Sequence, residues 1–205
     1  MLTIGYDPEF APISFAGDSG RADGRAVRRL RSACETARLQ CRFVPVALPD
    51  QEAFLADGKI DLIAVLAVTP QRLARFELSQ PFLGTGAAWF APGSIGAGPF
   101  DPDIATANIA TPANGPLVRV VAERWPHLGI IAARDYRDAL QRVIDGEASA
   151  AALNFDAGKH RCEELFPGRF ALPQRPFFDI PLAVACARGR RSGEIERLFG
   201  AIETH

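Results

Sequence analysis

The chain has 205 residues, 48% of them hydrophobic and 23% charged, at a mean hydropathy of +0.03. That is the composition of a folded globular protein, and it argues against a disordered or fibrous chain. A formal net charge of −1 provides no concentrated positive field, so neither nucleic acid nor an anionic membrane surface is expected as a partner. No apolar run reaches the length of a membrane span. The chain opens on the strand-like Leu2-Thr3-Ile4-Gly5, so an exported protein is expected to have lost its leader.

Strand-like and amphipathic segments alternate from the start. Leu2–Tyr6 reads as a strand, Arg25–Ala37 as a helix, Arg42–Val46 as a strand and Gln51–Ala56 as a helix, which is βαβ order. In the first helix Val27, Leu30, Ala33, Cys34 and Ala37 fall at helical spacing, leaving Arg25, Arg28, Arg29 and Arg31 as a largely solvated face. Lys59–Val65 reads as a buried parallel strand, and Thr69-Pro70 opens a further helix with proline in its first turn. The loop between them lies at a carboxyl strand end, where open α/β sheets bind ligands. Gly84-Thr85-Gly86 lacks the strand-to-helix context of a phosphate loop and is expected to be a turn.

Glycine, proline and small residues collect at Ala91–Pro102, a stretch expected to connect two lobes. The alternation then restarts: Ile104–Ala110 as strand, Asn114–Glu123 as helix, Gly129–Ala132 as strand, Tyr136–Ile144 as helix and Ala150–Leu153 as strand. Pro181–Ala187, a strand, and Gly193–Ile202, a helix, are expected to return to the first lobe. Residues 1–90 with 181–205 would then form one lobe and 91–180 the other.

Of four cysteines, Cys34 near a helix end and Cys41 at a strand start stand where one turn could bring them together. Two buried free thiols fit the same spacing equally well. Cys162 and Cys186 have no local logic for pairing. No metal-ligand cluster, phosphate loop or nucleophile motif is legible, so neither a metal nor a cofactor is expected.

Three segments stand in a telling order and spacing: Ile4-Gly5-Tyr6-Asp7-Pro8-Glu9-Phe10-Ala11-Pro12-Ile13-Ser14-Phe15; Gly58-Lys59-Ile60-Asp61-Leu62-Ile63 with Thr69-Pro70-Gln71-Arg72; and Phe76-Glu77-Leu78-Ser79-Gln80-Pro81-Phe82. Together they resemble the amino-acid-binding (family 3) branch of the type 2 periplasmic solute-binding proteins, particularly its histidine- and lysine/arginine/ornithine-binding members. The resemblance is close over the first lobe and loose over the second, where Ile109–Pro116 and Gly146–Asn154 carry it. It implies an α/β protein of the type 2 periplasmic binding fold: two Rossmann-like lobes joined by a hinge, with a ligand cleft between them. It also implies a Cys34–Cys41 disulfide and a periplasmic or other extracytoplasmic setting. Members of the branch usually continue past the position of His205 with another helix, so the chain is read as trimmed or compact.

The same resemblance puts Arg72 where the branch grips a carboxylate with a guanidinium fork, a planar two-pronged donor suited to that group. Without the motif Arg72 would read as a surface arginine, as Arg75 does. Phe10 corresponds to the aromatic that lies against the ligand, the alternative being a core phenylalanine. Asp7 corresponds to a position that meets a ligand's distal amine, although an aspartate at a strand end equally caps the next turn. Phe15 and Trp89 are read as core or cleft wall. In the second lobe Thr111 and Asn114 belong to the turn Thr111–Pro116, where a helix start offers N–H groups to a carboxylate, with simple capping by Asn114 as the alternative.

Two departures bear on the ligand. The branch's Ser/Thr pair is replaced by Leu66 and Ala67 within Ala64-Val65-Leu66-Ala67, and the loop is one residue shorter. Asn154 stands where the branch has the aspartate that neutralises an α-ammonium group, and a buried ammonium without a counter-charge is costly. The pocket is therefore expected to prefer a carboxylate lacking a free α-ammonium group, or an unusual amino-acid derivative, unless Asp156 turns inward.

The function expected is that of a solute-binding protein of an ABC-type transporter. It would be a monomer that closes by a hinge on a carboxylate-bearing or amino-acid-like ligand, transforms nothing and passes the ligand to a membrane permease. A sensory ligand-binding domain of a membrane receptor would use the same clamp. An enzyme resembling cyclohexadienyl dehydratase would need a buried acid of raised pKa. Asp7, Glu9 and Asp156 are its candidates, none with a partner visible in sequence, and His127, His160 and His205 read as surface residues.

Overall fold

A computed structural model describes residues 1–93, 100–113 and 115–203. The chain falls into two compact units, one made of Met1–Gly84 with the segment from Ile180 onward, the other of Thr85–Asp179.

In the first unit β1 (Leu2–Tyr6) leads into a small antiparallel sheet of β2 (Glu9–Phe10), β3 (Ser14–Ala16) and β4 (Ala22–Asp23). Then come α1 (Arg25–Thr36), β5 (Cys41–Pro45), α2 (Leu48–Ala56), β6 (Leu62–Ala67), α3 (Pro70–Arg75) and β7 (Phe76–Leu78). The chain returns through β13 (Phe178–Ala187) and α7 (Gly193–Glu203). The unit's main sheet runs β13-β6-β1-β5, with β1 parallel to β5 and β6 and with β13 antiparallel to β6 and β7. Helix α1 forms because Ala26, Val27, Leu30, Ala33 and Cys34 make one buried stripe. Its N-cap, Gly24, has φ 113°, a backbone conformation that favours glycine, and a Cβ there would collide with the Ile13 carbonyl. Arg29 leaves the solvated face expected of it: it is half-buried, donates to the Phe82 carbonyl and lies over the Phe82 ring.

The second unit holds β8 (Leu83–Pro92, from Thr85 on), β9 (Asn108–Pro112), α4 (Leu117–Arg124), β10 (Gly129–Ala133), α5 (Tyr136–Ile144), β11 (Ala150–Asn154), α6 (Phe155–Leu165) and β12 (Phe170–Ala171). Its sheet runs β10-β9-β11-β8, parallel except for β8, which is antiparallel to β11 and to β12. Phe90, Ala110, Leu140, Val143, Leu153 and Cys162 are part of its core. On the other face of β8, Trp89 stacks on Phe177 with ring centroids 4.5 Å apart and meets Trp125 edge-on.

Several element readings need correction. Gly84-Thr85-Gly86 is no turn but part of β8; Gly86 has no Cβ because Pro176 and the Phe178 carbonyl pass directly over it. The strand read at Ile104 begins at Asn108 instead. Asp101 Oδ1 accepts the Asp103 N–H and holds the chain in a turn, which leaves Ile104 83% exposed. The strand read from Lys59 begins at Leu62, after Asp61 Oδ2 has accepted the Thr3 N–H. Helix α4 starts at Leu117 with Pro116 as its N-cap, after the Gly115 N–H has bonded back to the Pro112 carbonyl. Helix α6 was not legible, because what it buries is the small trio Ala157, Gly158 and Cys162.

Candidate functional site

The predicted residues of the first unit gather around the carboxyl end of β6 and the turn after β1. Thr69 caps α3, its hydroxyl accepting the Arg72 N–H at 3.3 Å, with Pro70 in the first turn. This anchors the backbone of Arg72, whose side chain is 14% exposed. The guanidinium donates from Nη1 to the Ala67 carbonyl at 3.2 Å and from Nε to Glu52 Oε1 at 3.2 Å. Its Nη2 takes no acceptor among the described residues and is not a buried orphan, so donors remain for an added carboxylate.

Ala67 thus serves Arg72 through its backbone. Leu66 turns its side chain into the core with Ile63, Phe76 and Ala185. Asp7 Oδ1 accepts the Glu9 N–H at 2.9 Å, and the Asp7 carbonyl accepts the Ser14 hydroxyl at 2.8 Å. The aspartate therefore does cap the turn after β1. Phe10 lies half-buried in β2, its carbonyl taking the Ile13 N–H. Glu52, half-buried on α2, was not singled out in the sequence. No motif marks it, because its partners lie 20 and 23 residues away.

In the second unit Thr111 and Asn154 occupy the carboxyl ends of the parallel neighbours β9 and β11. Thr111 is fully buried, and its hydroxyl has no partner among the described residues, a costly state for a polar atom. Asn114 lies outside the described residues. Asn154 is 5% exposed and is the N-cap of α6: its Oδ1 accepts the N–H groups of Asp156 and Ala157, each at 3.1 Å. Because an oxygen must face those donors, the orientation of the carboxamide follows from the helix. Nδ2, the donor end, takes no acceptor among the described residues and is not a buried orphan. The Asp156 carboxylate accepts the Thr85 hydroxyl at 2.7 Å.

Cys34 and Cys41 form a disulfide with their Cα atoms 6.5 Å apart. Cys162 and Cys186 are buried free thiols; burial pushes them up to about 12 and about 11 respectively, with Glu163 and Glu77 adding to it. Among the described residues no group of three His, Cys, Asp or Glu side chains could hold a metal ion, and no helix is long and apolar enough to cross a membrane.

Residues 2–151 match the bacterial extracellular solute-binding proteins, family 3. The chain belongs to that family. The two α/β units carry the family's fold. Among curated relatives, the octopine-binding periplasmic protein of Rhizobium meliloti is 29% identical over 82 residues, which are 40% of this chain and 28% of that protein. A histidine kinase sensor domain described as similar to periplasmic binding proteins superposes with a TM-score of 0.84 at 19% identity, over 100% of this chain and 89% of that one. An ancestral arginine-binding protein bound to glutamine superposes with a TM-score of 0.83 at 17% identity, over 99% and 90%. At such identities the two structures show the shared fold alone.

Proposed function

We propose that this family 3 protein is the extracytoplasmic receptor of an ABC-type transporter, a monomer that holds one small carboxylate-bearing molecule by hinge closure and hands it to a membrane permease. Arg72 carries this reading. It is a largely buried guanidinium at a carboxyl strand end, held at two nitrogens by Ala67 and Glu52 and with Nη2 left for an acceptor. That is the arrangement a carboxylate requires.

Asn154 narrows the ligand. Its oxygen is committed to the α6 cap, so a ligand group opposite its Nδ2 would have to accept a hydrogen bond. An α-keto or α-hydroxy acid, or an amino acid whose nitrogen carries an acyl or carboxylate-bearing substituent, offers that donor an oxygen acceptor, which a free α-ammonium group lacks. Octopine, the solute named for the Rhizobium meliloti relative, is an N-substituted amino acid. A thermal-shift screen with octopine, L-arginine, L-glutamine and their deaminated analogues tests the reading, since a molecule that binds only the folded state raises its midpoint. A shift abolished by Arg72→Ala is expected; a shift that survives that substitution removes Arg72 from the site. The fold shared with a histidine kinase sensor domain supports a second reading, a receptor's ligand-binding domain. Recovery of the native gene product in the membrane fraction would favour it.

A further inference from the structure

Glu52 reaches from α2 to two arginines of α3. Its Oε1 accepts from Arg72 Nε at 3.2 Å and its Oε2 from Arg75 Nη1 at 2.5 Å. The three side chains grade from hidden to open: Arg72 is 14% exposed, Glu52 26% and Arg75 61%. A guanidinium carries five N–H donors in one plane. With the Nε–H on Glu52 and one Nη1–H on the Ala67 carbonyl, the Arg72 plane is held at two corners. Free rotation about its last torsions is thereby removed before any ligand arrives, which lowers the ordering cost of binding.

The charges matter as much as the geometry. Arg72 and Glu52 alone would be a neutral pair, and an incoming carboxylate would meet a carboxylate already in place. Arg75 engages the other oxygen of Glu52, and two guanidiniums with one carboxylate leave one net positive charge.

We propose that Glu52 and Arg75 are positioning residues for Arg72: Glu52 aligns the guanidinium plane, and Arg75 offsets the charge of Glu52 so that the trio answers one carboxylate. This rests on the ligand role given to Arg72 above. Neither residue need touch the ligand, and the trio lies wholly within the first unit.

The test combines the Arg72 Nε–Hε resonance, read by NMR without ligand, with calorimetric titrations of octopine, pyruvate, L-glutamine and L-arginine. Glu52→Ala is expected to shift the Arg72 Nε–Hε signal and speed its exchange with water. It is also expected to weaken whichever probe the wild type binds by about tenfold. Glu52→Gln, which keeps an oxygen for Nε, should retain the signal and bind at least as tightly. Arg75→Ala should weaken binding with the Arg72 signal still present, Arg75→Lys should restore it, and the Arg75 effect should fade in high salt as exposed charges are screened. Because Arg75 is exposed, its variants should fold whatever Glu52→Ala does. Unchanged Arg72 resonance and affinity in Glu52→Ala would overturn the proposal and leave the binding reading standing. Binding that ignores Arg72→Ala, or no binding of any probe by the wild type, would overturn both.

Discussion

Thr85 donates its hydroxyl hydrogen to the Asp156 carboxylate at 2.7 Å, although 71 positions separate the two residues. The same hydroxyl oxygen lies 3.1 Å from Asn154 Oδ1. A hydroxyl has one hydrogen to give, and the shorter bond to an ionised acceptor takes it. The start of β8 is thereby tied to the first turn of α6. Thr85→Val keeps the shape and deletes the donor, so it should lower the unfolding free energy by about 1–2 kcal/mol in a denaturant titration. A change too small to measure would mean that water takes the place of the hydroxyl.

Asn154→Ala removes the cap of α6 and should cost about 1 kcal/mol. Asn154→Asp keeps an oxygen for the same two N–H groups, adds a charge that the helix start favours, and should spare stability. The informative difference lies in ligand choice. If the carboxamide is what turns the site away from free α-amino acids, Asn154→Asp should respond to L-glutamine in a thermal-shift assay more strongly than the wild type. Equal responses would locate that selectivity elsewhere.

The Cys34–Cys41 disulfide spans a sequence separation of 7. Closing so short a loop restricts the unfolded chain modestly, by about 2 kcal/mol on the loop-entropy estimate. Reductant, or the double change to serine, should lower the melting temperature by several degrees without preventing folding. Full unfolding on reduction would show that α1 and β5 depend on the bond for more than unfolded-state entropy.

Asp138 carries a pH dependence whose sign can be stated. The Arg134 N–H bonded to its carboxylate, and then the charges of Arg142 and Arg134, hold it below the ordinary aspartate value against the opposing effect of burial. A depressed folded-state pKa contributes stability above the unfolded value of about 3.9 and loses it as pH falls through the folded value. Asp138→Asn should therefore destabilise the protein at pH 7 and flatten the loss on acidification below about pH 4. Parallel stability curves for the two proteins across that range would refute it.

Cys162 and Cys186 should resist a thiol reagent in the folded protein at pH 8, because burial holds both as neutral thiols with values raised to about 12 and about 11. Their stabilising contribution is present below the unfolded value of about 8.5 and is lost as pH rises toward the folded one. Rapid labelling of either under native conditions would show that its segment opens locally.

Legibility in the sequence followed the size and periodicity of the buried side chains. The α1 stripe of Val27, Leu30, Ala33 and Cys34 and the apolar run of β6 announce themselves, since burying them demands one geometry. The segment pattern through Arg72 and Phe82 likewise pointed to the family to which the chain belongs. Helix α6 did not announce itself: it buries Ala157, Gly158 and Cys162, and small side chains leave little periodic contrast against their neighbours. The β8 glycines read as a turn because the reason for Gly86, a second segment passing over it, lies some ninety positions downstream.

What the sequence determined by itself, then, is local: where the strongly periodic strands and helices such as β6 and α1 lie, that the order is α/β, and that Arg72 follows a threonine-proline helix start. Hydrophobic periodicity and turn chemistry act over a few residues and can be read without the fold. Tertiary structure decided the electrostatic surroundings of those residues: that Glu52 takes the Nε of Arg72 and that Thr85 serves Asp156. Hydrogen bonds and ion pairs depend on distances of about 3 Å, and only the folded chain brings residues so far apart in sequence to that range.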